Sequence, residues 1–209
     1  MDILSLPVDV MAQLALELNL PDILSLCEAN SRFNYAICLK ESFWLNKLLN
    51  DYPDYKQLNV LKTYRDTYKL LYNLTILKDK LKLSENVYEL YNLKRLDLYD
   101  RKLKEVPKEL GNLQKLQRLD LSNNHISTIP ESLKHLSNLQ VLELDNNQIS
   151  TIPESLKNLH NLQILYLNNN QISKIPESLK HLSNLQYLYL NNNQISTIPE
   201  SLKHLHISI

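Results

Sequence analysis

The chain has 209 residues, enough for one repeat array and a small additional domain, and its 44% hydrophobic and 22% charged residues suit a folded protein rather than a disordered one. Lys and Arg balance Asp and Glu at 23 each, which argues against a nucleic acid or an anionic membrane as the main partner. No apolar run approaches the length of a membrane span, and the N-terminus lacks the basic region that opens a signal peptide. Cys27 and Cys38 are the only cysteines, and they read as small core residues in a reducing, cytoplasmic compartment.

Residues 1–50 carry no repeat. Leu6-Pro7 opens a helical pattern with Val8, Met11, Leu14/Ala15 and Leu18 in step. Pro21 opens a second pattern with Ile23, Leu24, Leu26 and Cys27, and a third runs over Phe33, Ala36 and Ile37. Phe43, Trp44, Leu45, Leu48 and Leu49 make a fourth. Roughly fifty residues make a marginal core, so this segment is expected to lean on a partner or on the next segment of the chain.

Leu6-Pro7, the Leu14 to Leu18 stripe, Pro21-Asp22-Ile23-Leu24, Asn30-Ser31-Arg32-Phe33 and the closing Phe43-Trp44 resemble an F-box over residues 4–48. With Tyr52-Pro53 just after the Trp, the form is similar to F-box-like proteins of giant DNA viruses. The resemblance implies binding to the small linker subunit of a cullin-type ubiquitin ligase through Leu6, Pro7, Val10, Leu14, Ile23 and Leu24. The alternative is a helical cap on the repeats with no ligase to recruit.

Residues 51–80 read as a helical linker. Seven of the twelve tyrosines lie between Tyr52 and Tyr91, and Tyr64, Tyr68 and Tyr72 are each four apart. Such a stripe reads as a seam packing one domain on another, with a docking face as the alternative. Residues 81–92, with Leu83, Val87 and Leu90, read as half a repeat that forms the N-terminal cap of the array.

From residue 93 to residue 209 a pattern recurs with a step of 23 residues. Leu-x-x-Leu-x-Leu-x-x-Asn-x-Ile begins at Leu116, Leu139, Leu162 and Leu185, and a looser copy begins at Leu93, making five. Leu119 and Leu121 alternate as a strand requires, so Arg118, Asp120 and Ser122 are expected on its exposed face. Ile126, Ile129, Leu133 and Leu136 mark an apolar return path, on which Pro130 starts a short helical turn. Asn124, Asn147, Asn170 and Asn193 form a column expected to satisfy turn backbone from inside. In the first copy Arg101 stands at that place. After Leu205 only His206-Ile207-Ser208-Ile209 remain, with no amphipathic capping helix, so fraying beyond Pro199 or end-to-end contact between chains is expected.

These copies resemble leucine-rich repeats of the 23-residue type with an Ile-Pro on the return path. The resemblance implies an α/β fold, a curved leucine-rich repeat solenoid with a parallel concave sheet, here preceded by a small all-α helical domain. It implies protein partners rather than small-molecule substrates.

No chemistry is expected. Gly111 is the only glycine, which excludes a phosphate-cradling loop, and no nucleophile stands in a recognisable setting. His135, His181 and His204 share a column, but Asn158 interrupts it and no further ligands accompany it. No cofactor, metal, catalytic residue, nucleic acid or membrane is therefore assigned. The informative surface is the sheet face. One of its columns reads Asp97, Asp120, Glu143, Tyr166, Tyr189, and its neighbour reads Arg95, Arg118, Val141, Ile164, Tyr187. A solvated face should be polar, so Val141, Ile164, Tyr166, Tyr187 and Tyr189 are expected to bind the partner. Gln117, Gln140, Gln163 and Gln186 would border it on one side, and Asn168, Asn169, Asn191 and Asn192 on the other.

Overall fold

The computed structural model describes residues 3–58 and 61–209 and divides into two compact units, residues 1–76 and 77–209. The boundary falls inside a helix that the sequence presents as part of a linker.

The first unit is helical. Helix α1 (Val8–Glu17) starts after Pro7 and turns Met11 and Ala15 fully inward. Helix α2 (Leu20–Ala29) starts at Asn19, whose side chain accepts from the Asp22 amide at 3.0 Å, and Pro21 occupies its first turn. Asn30 repeats the device, accepting from the Phe33 amide at 2.9 Å to open the short α3 (Ser31–Phe33). The chain then widens into a π turn, Asn34–Cys38, closed by the Leu39 amide donating to the Asn34 carbonyl at 3.0 Å. Helix α4 (Glu41–Asp51) buries Phe43, Trp44 and Leu48, and the Trp44 indole donates to the Cys38 carbonyl at 3.0 Å.

Helix α5 (Tyr64–Leu81) completes this core. Tyr68 is 2% exposed, and its ring centre lies 5.7 Å from Trp44 and 5.6 Å from Tyr52. Tyr64 meets Tyr55 edge-on at 6.3 Å. The tyrosine stripe is thus a seam inside the helical unit, and the first four helices lean on α5. A polar cluster anchors the seam: the Tyr68 hydroxyl donates to Asp51 at 2.6 Å, and Lys47 pairs with the same carboxylate at 2.8 Å while also donating to the Leu16 carbonyl. Burial raises the Asp51 carboxyl, but hydrogen bonds from Lys47, Tyr68 and Asn50 outweigh it and hold the group below its ordinary value. Burial and then the Asp51 charge push the Tyr68 phenol upward, so it stays a donor.

The cysteines, read in sequence as unpaired core residues, are in the core and joined. Cys27 on α2 and Cys38 at the end of the π turn form a disulfide with Cα atoms 6.1 Å apart. They stand eleven positions apart, and the five-residue π turn gives no sequence signal that would bring them together.

The second unit begins within α5 and continues through α6 (Val87–Asn92), where Asn86 and Glu89 form a reciprocal capping box. Six strands come next: β1 (Arg95–Asp97), β2 (Arg118–Asp120), β3 (Val141–Glu143), β4 (Ile164–Tyr166), β5 (Tyr187–Tyr189) and β6 (His206–Ser208). They pair in parallel and in chain order, with Leu96, Leu119, Leu142, Leu165, Leu188 and Ile207 in register on the inner face. Short 3-10 turns such as Glu131–His135 and Glu154–Asn158 return the chain, each opened by a proline. This is a leucine-rich repeat solenoid preceded by a helical unit.

β6 is not expected from the sequence. The segment His204-Leu205-His206-Ile207 corresponds to His181-Leu182 joined directly to Tyr187-Leu188, so the last step is 19 residues and omits four. Ile207 and Ile209 still alternate as a strand requires. His206–Ser208 thus extend the sheet by one strand beyond the last full repeat.

The asparagine column sits where the sequence puts it, with a detail the pattern does not show. Each side chain serves two turns. Asn147 accepts from the Ile126 amide of the preceding repeat at 3.0 Å and donates to the carbonyls of Leu121 at 3.0 Å and Leu144 at 3.1 Å. Asn124 likewise accepts from Arg101 and Leu103 and donates to Leu98, so the first turn is served by its successor and needs no asparagine at Arg101. The residues just before the column, Asn123, Asn146, Asn169 and Asn192, have φ between 54° and 57°, a left-handed conformation that asparagine tolerates well. A second column recurs at the same step, just before each copy: Asn138, Asn161 and Asn184 each donate to a carbonyl one repeat back, at 2.7, 2.8 and 2.6 Å. Ser122, expected on the exposed face, is buried instead.

Reducing the Cys27–Cys38 disulfide, or replacing both residues by Ser, should lower the stability of the helical unit by about 2–3 kcal/mol, the loop-closure contribution for a crosslink this short. Melting with and without dithiothreitol checks this, and an unchanged transition would show that the pair contributes nothing. Asn147→Ala should cost about 1–3 kcal/mol by stranding buried turn groups, whereas Lys157→Ala should cost almost nothing. Equal shifts in a urea titration would mean that the ladder does not carry the turns.

Candidate protein-binding surface

The outward side chains of the strands alternate with the buried leucines, so the sheet face is a grid whose columns run along the solenoid. In β1 and β2 it is charged. Arg118 pairs with Glu143 of the next strand at 2.8 Å. Asp97 and Asp120 each accept from a backbone amide two residues on, Tyr99 at 2.9 Å and Ser122 at 2.8 Å.

From β4 onward the face is aromatic. Tyr166 and Tyr189 stack with ring centres 4.8 Å apart and planes 5° from parallel. Tyr187 lies 6.3 Å from Tyr189 at 6°, and its other neighbour is His206, at 5.1 Å and 18°. Strand spacing imposes the Tyr166–Tyr189 and Tyr187–His206 contacts: side chains in register on parallel strands lie about 4.8 Å apart, the separation of stacked rings. Tyr187 is 37% exposed, and Tyr166, Tyr189, Val141 and Ile164 are half-buried. The five residues chosen from the sequence occupy neighbouring grid positions in the strand register. His206 joins them unforeseen, because it rides on the unforeseen β6.

The glutamines and asparagines flank this patch. Gln140, Gln163 and Gln186 are exposed and Gln117 is half-buried. Asn168 and Asn191 are tied into a chain: Asp145 accepts from the Asn168 amide at 2.6 Å, Asn168 accepts from the Asn191 amide at 2.9 Å, and the Ser208 hydroxyl bonds Asn191 at 2.9 Å. Asn192 donates to Asn169 at 2.7 Å. This border is already organised without a partner.

The helical unit carries the other residues singled out in the sequence. Val10 and Leu14 are 37% and 43% exposed, Pro7 is exposed, and Leu6 and Leu24 are half-buried. Ile23 is fully buried and supports the helices from inside rather than offering a contact. Arg32, in the Asn-Ser-Arg-Phe segment, donates to the Leu4 and Leu6 carbonyls at 2.9 and 3.0 Å and fixes the approach to Pro7. Val8, at 49% exposed, is a neighbour that the F-box resemblance does not single out. Among the described residues no group of three or more His, Cys, Asp or Glu is placed to hold a metal ion, and no helix is long and apolar enough to cross a membrane.

Burial, then the charge of Asp120, raises the Glu143 carboxyl despite its Arg118 partner, and burial raises Asp145 against the hydrogen bonds from Asn168. A carboxyl raised in the folded state favours folding below its unfolded value, and that contribution is lost as pH rises through the folded one. Glu143→Gln should therefore be more stable than the parent at neutral pH, and the difference should vanish near pH 3, below the ordinary carboxylate range. Denaturant titrations at the two pH values check the sign. A less stable variant at neutral pH would mean that the Arg118 pair outweighs the burial.

Comparison with known proteins agrees with this geometry. A family model described as a leucine-rich repeat region matches residues 52–165, and a second leucine-rich repeat model matches residues 137–195. No curated protein matches the chain. Among solved structures, internalin C2 of Listeria monocytogenes is 36% identical over 57% of this chain and 51% of its own, with a TM-score of 0.51. The internalin InlF of the same organism is 35% identical over 56% and 34%, with a TM-score of 0.50. A leucine-rich repeat protein of Leptospira interrogans is 32% identical over 60% and 40%, also with a TM-score of 0.50. The chain thus spans about half the length, or less, of these structures. The first family model covers more than half of the residues, and the chain belongs to the leucine-rich repeat family.

Proposed function

We propose that this chain is a non-enzymatic adaptor that holds a protein partner on the sheet face of its repeats. The observation that carries the reading is the stacked Tyr166–Tyr189–Tyr187–His206 cluster on a surface that solvation alone would make polar. Together with Val141 and Ile164 it forms an apolar centre between two polar borders, the anatomy of a protein interface. Rings locked by stacking lose little freedom when a partner arrives, which favours binding.

In the finer form of the proposal, the helical unit is F-box-like and recruits the linker subunit of a cullin-type ubiquitin ligase, and the repeats present the substrate. Pro7, Val10 and Leu14 supply exposed apolar contacts, with Leu6 and Leu24 at their margin and Ile23 as internal support. The chain would act by proximity, raising the local concentration of substrate at the ligase. Its setting would be host cytoplasm, where the Cys27–Cys38 pair would be kept reduced. The second reading is a scaffold or inhibitor whose helices only cap the repeats.

Mixing the full chain with purified linker subunit separates the two. The adaptor reading expects micromolar binding, lost on Pro7→Ala combined with Leu14→Asp, because a charge buried without a partner in the interface costs several kcal/mol. Both positions are exposed, so the variant should keep the parent's circular dichroism spectrum. No binding at high micromolar concentration would leave the scaffold reading.

A further inference from the structure

The sheet face is not charge-balanced along its length. From β3 onward the strands and the residues just after them, 140–146, 163–169, 186–192 and 206–209, contain Glu143 and Asp145 but no Lys or Arg. Glu143 is paired with Arg118, from the strand before. Glu143 stands in register beside Tyr166, which on its other side stacks on Tyr189. A carboxylate beside an aromatic face is the setting that attracts a guanidinium or ammonium group, by ion pairing and by the ring quadrupole together.

Resting on the concave-face reading above, we infer that the partner segment is basic and apolar in a fixed order: an Arg or Lys seated at Glu143, Asp145 and Tyr166, and an aromatic or large aliphatic side chain against Tyr187, Tyr189 and His206. The grid sets the spacing. From β3 to β5 is two strand intervals, about 10 Å, and to β6 three, about 14 Å; an extended chain advances about 3.3 Å per residue. The two anchors are therefore three or four residues apart in an extended segment that runs across the strands. Arg118 brings one positive charge to the two carboxylates Glu143 and Asp145, and a cation from the partner would balance the second.

A displayed library of random dodecapeptides, selected on the immobilised full-length chain, tests this. Enriched sequences should carry Arg or Lys three or four positions from Trp, Tyr, Phe or Leu. As synthetic peptides they should lose at least tenfold in affinity both to the Glu143→Gln/Asp145→Asn chain and to the Tyr166→Ala/Tyr189→Ala chain. The Asp145→Asn change keeps a side-chain oxygen that accepts from the Asn168 backbone amide, and melting curves verify that both chains fold. Peptides that need the tyrosines but show no basic enrichment and ignore the amide variants would overturn the inference and leave the concave-face reading standing. Peptides that ignore the tyrosine pair, or a selection that enriches nothing, would overturn both.

Discussion

The repeat array depends on one constraint: a turn after every short strand leaves backbone groups inside the protein with no ladder partner. Asn124, Asn147, Asn170 and Asn193 resolve it, each accepting from an amide one repeat back and donating to carbonyls of both repeats. Only an amide side chain supplies a donor and an acceptor at that reach. The fixed step of 23 residues is a consequence, because an insertion inside a repeat would move the asparagine off its targets. The arrangement also has a direction, since each of the first four turns is completed by the repeat after it.

The helical unit rests on a different principle. It has no repeat to propagate and too few residues in its first four helices for a secure core. It closes by bringing the aromatic stripe of α5 against Trp44 and Tyr52, and by joining α2 to the π turn through Cys27 and Cys38. Polar anchors accompany the apolar ones: Asp51 gathers Tyr68 and Lys47, and Arg32 holds the carbonyls ahead of Pro7.

Much of the repeat unit was legible in sequence because periodicity two in the strands and periodicity 23 overall reinforce each other. The outward positions of Tyr166, Tyr187 and Tyr189 follow from alternation alone. The parts that were not legible have local causes. β6 was hidden because four residues are missing from its return path, which removes the match to the pattern while leaving the alternation of Ile207 and Ile209. The burial of Ser122 escaped notice because alternation ceases to describe the chain once the strand ends at Asp120. Cys27 and Cys38 gave no sign of pairing, since a π turn shifts the facing of residues by an amount that helical spacing does not anticipate. Ile23 reads as a contact in the sequence because an apolar residue on a short helix looks alike whether it faces inward or outward.

The alternation of buried leucine and outward residue has an evolutionary consequence. Within each strand the residue that keeps the fold and the residue that faces outward are adjacent in sequence but lie on opposite sides of the sheet. A gene that duplicates one repeat copies the scaffold intact, and later point changes at two outward codons per copy rewrite the outer surface while the inner leucines stay in place. The change from Arg and Asp in β2 to Ile and Tyr in β4, on an inner leucine that does not vary, is the trace such divergence would leave.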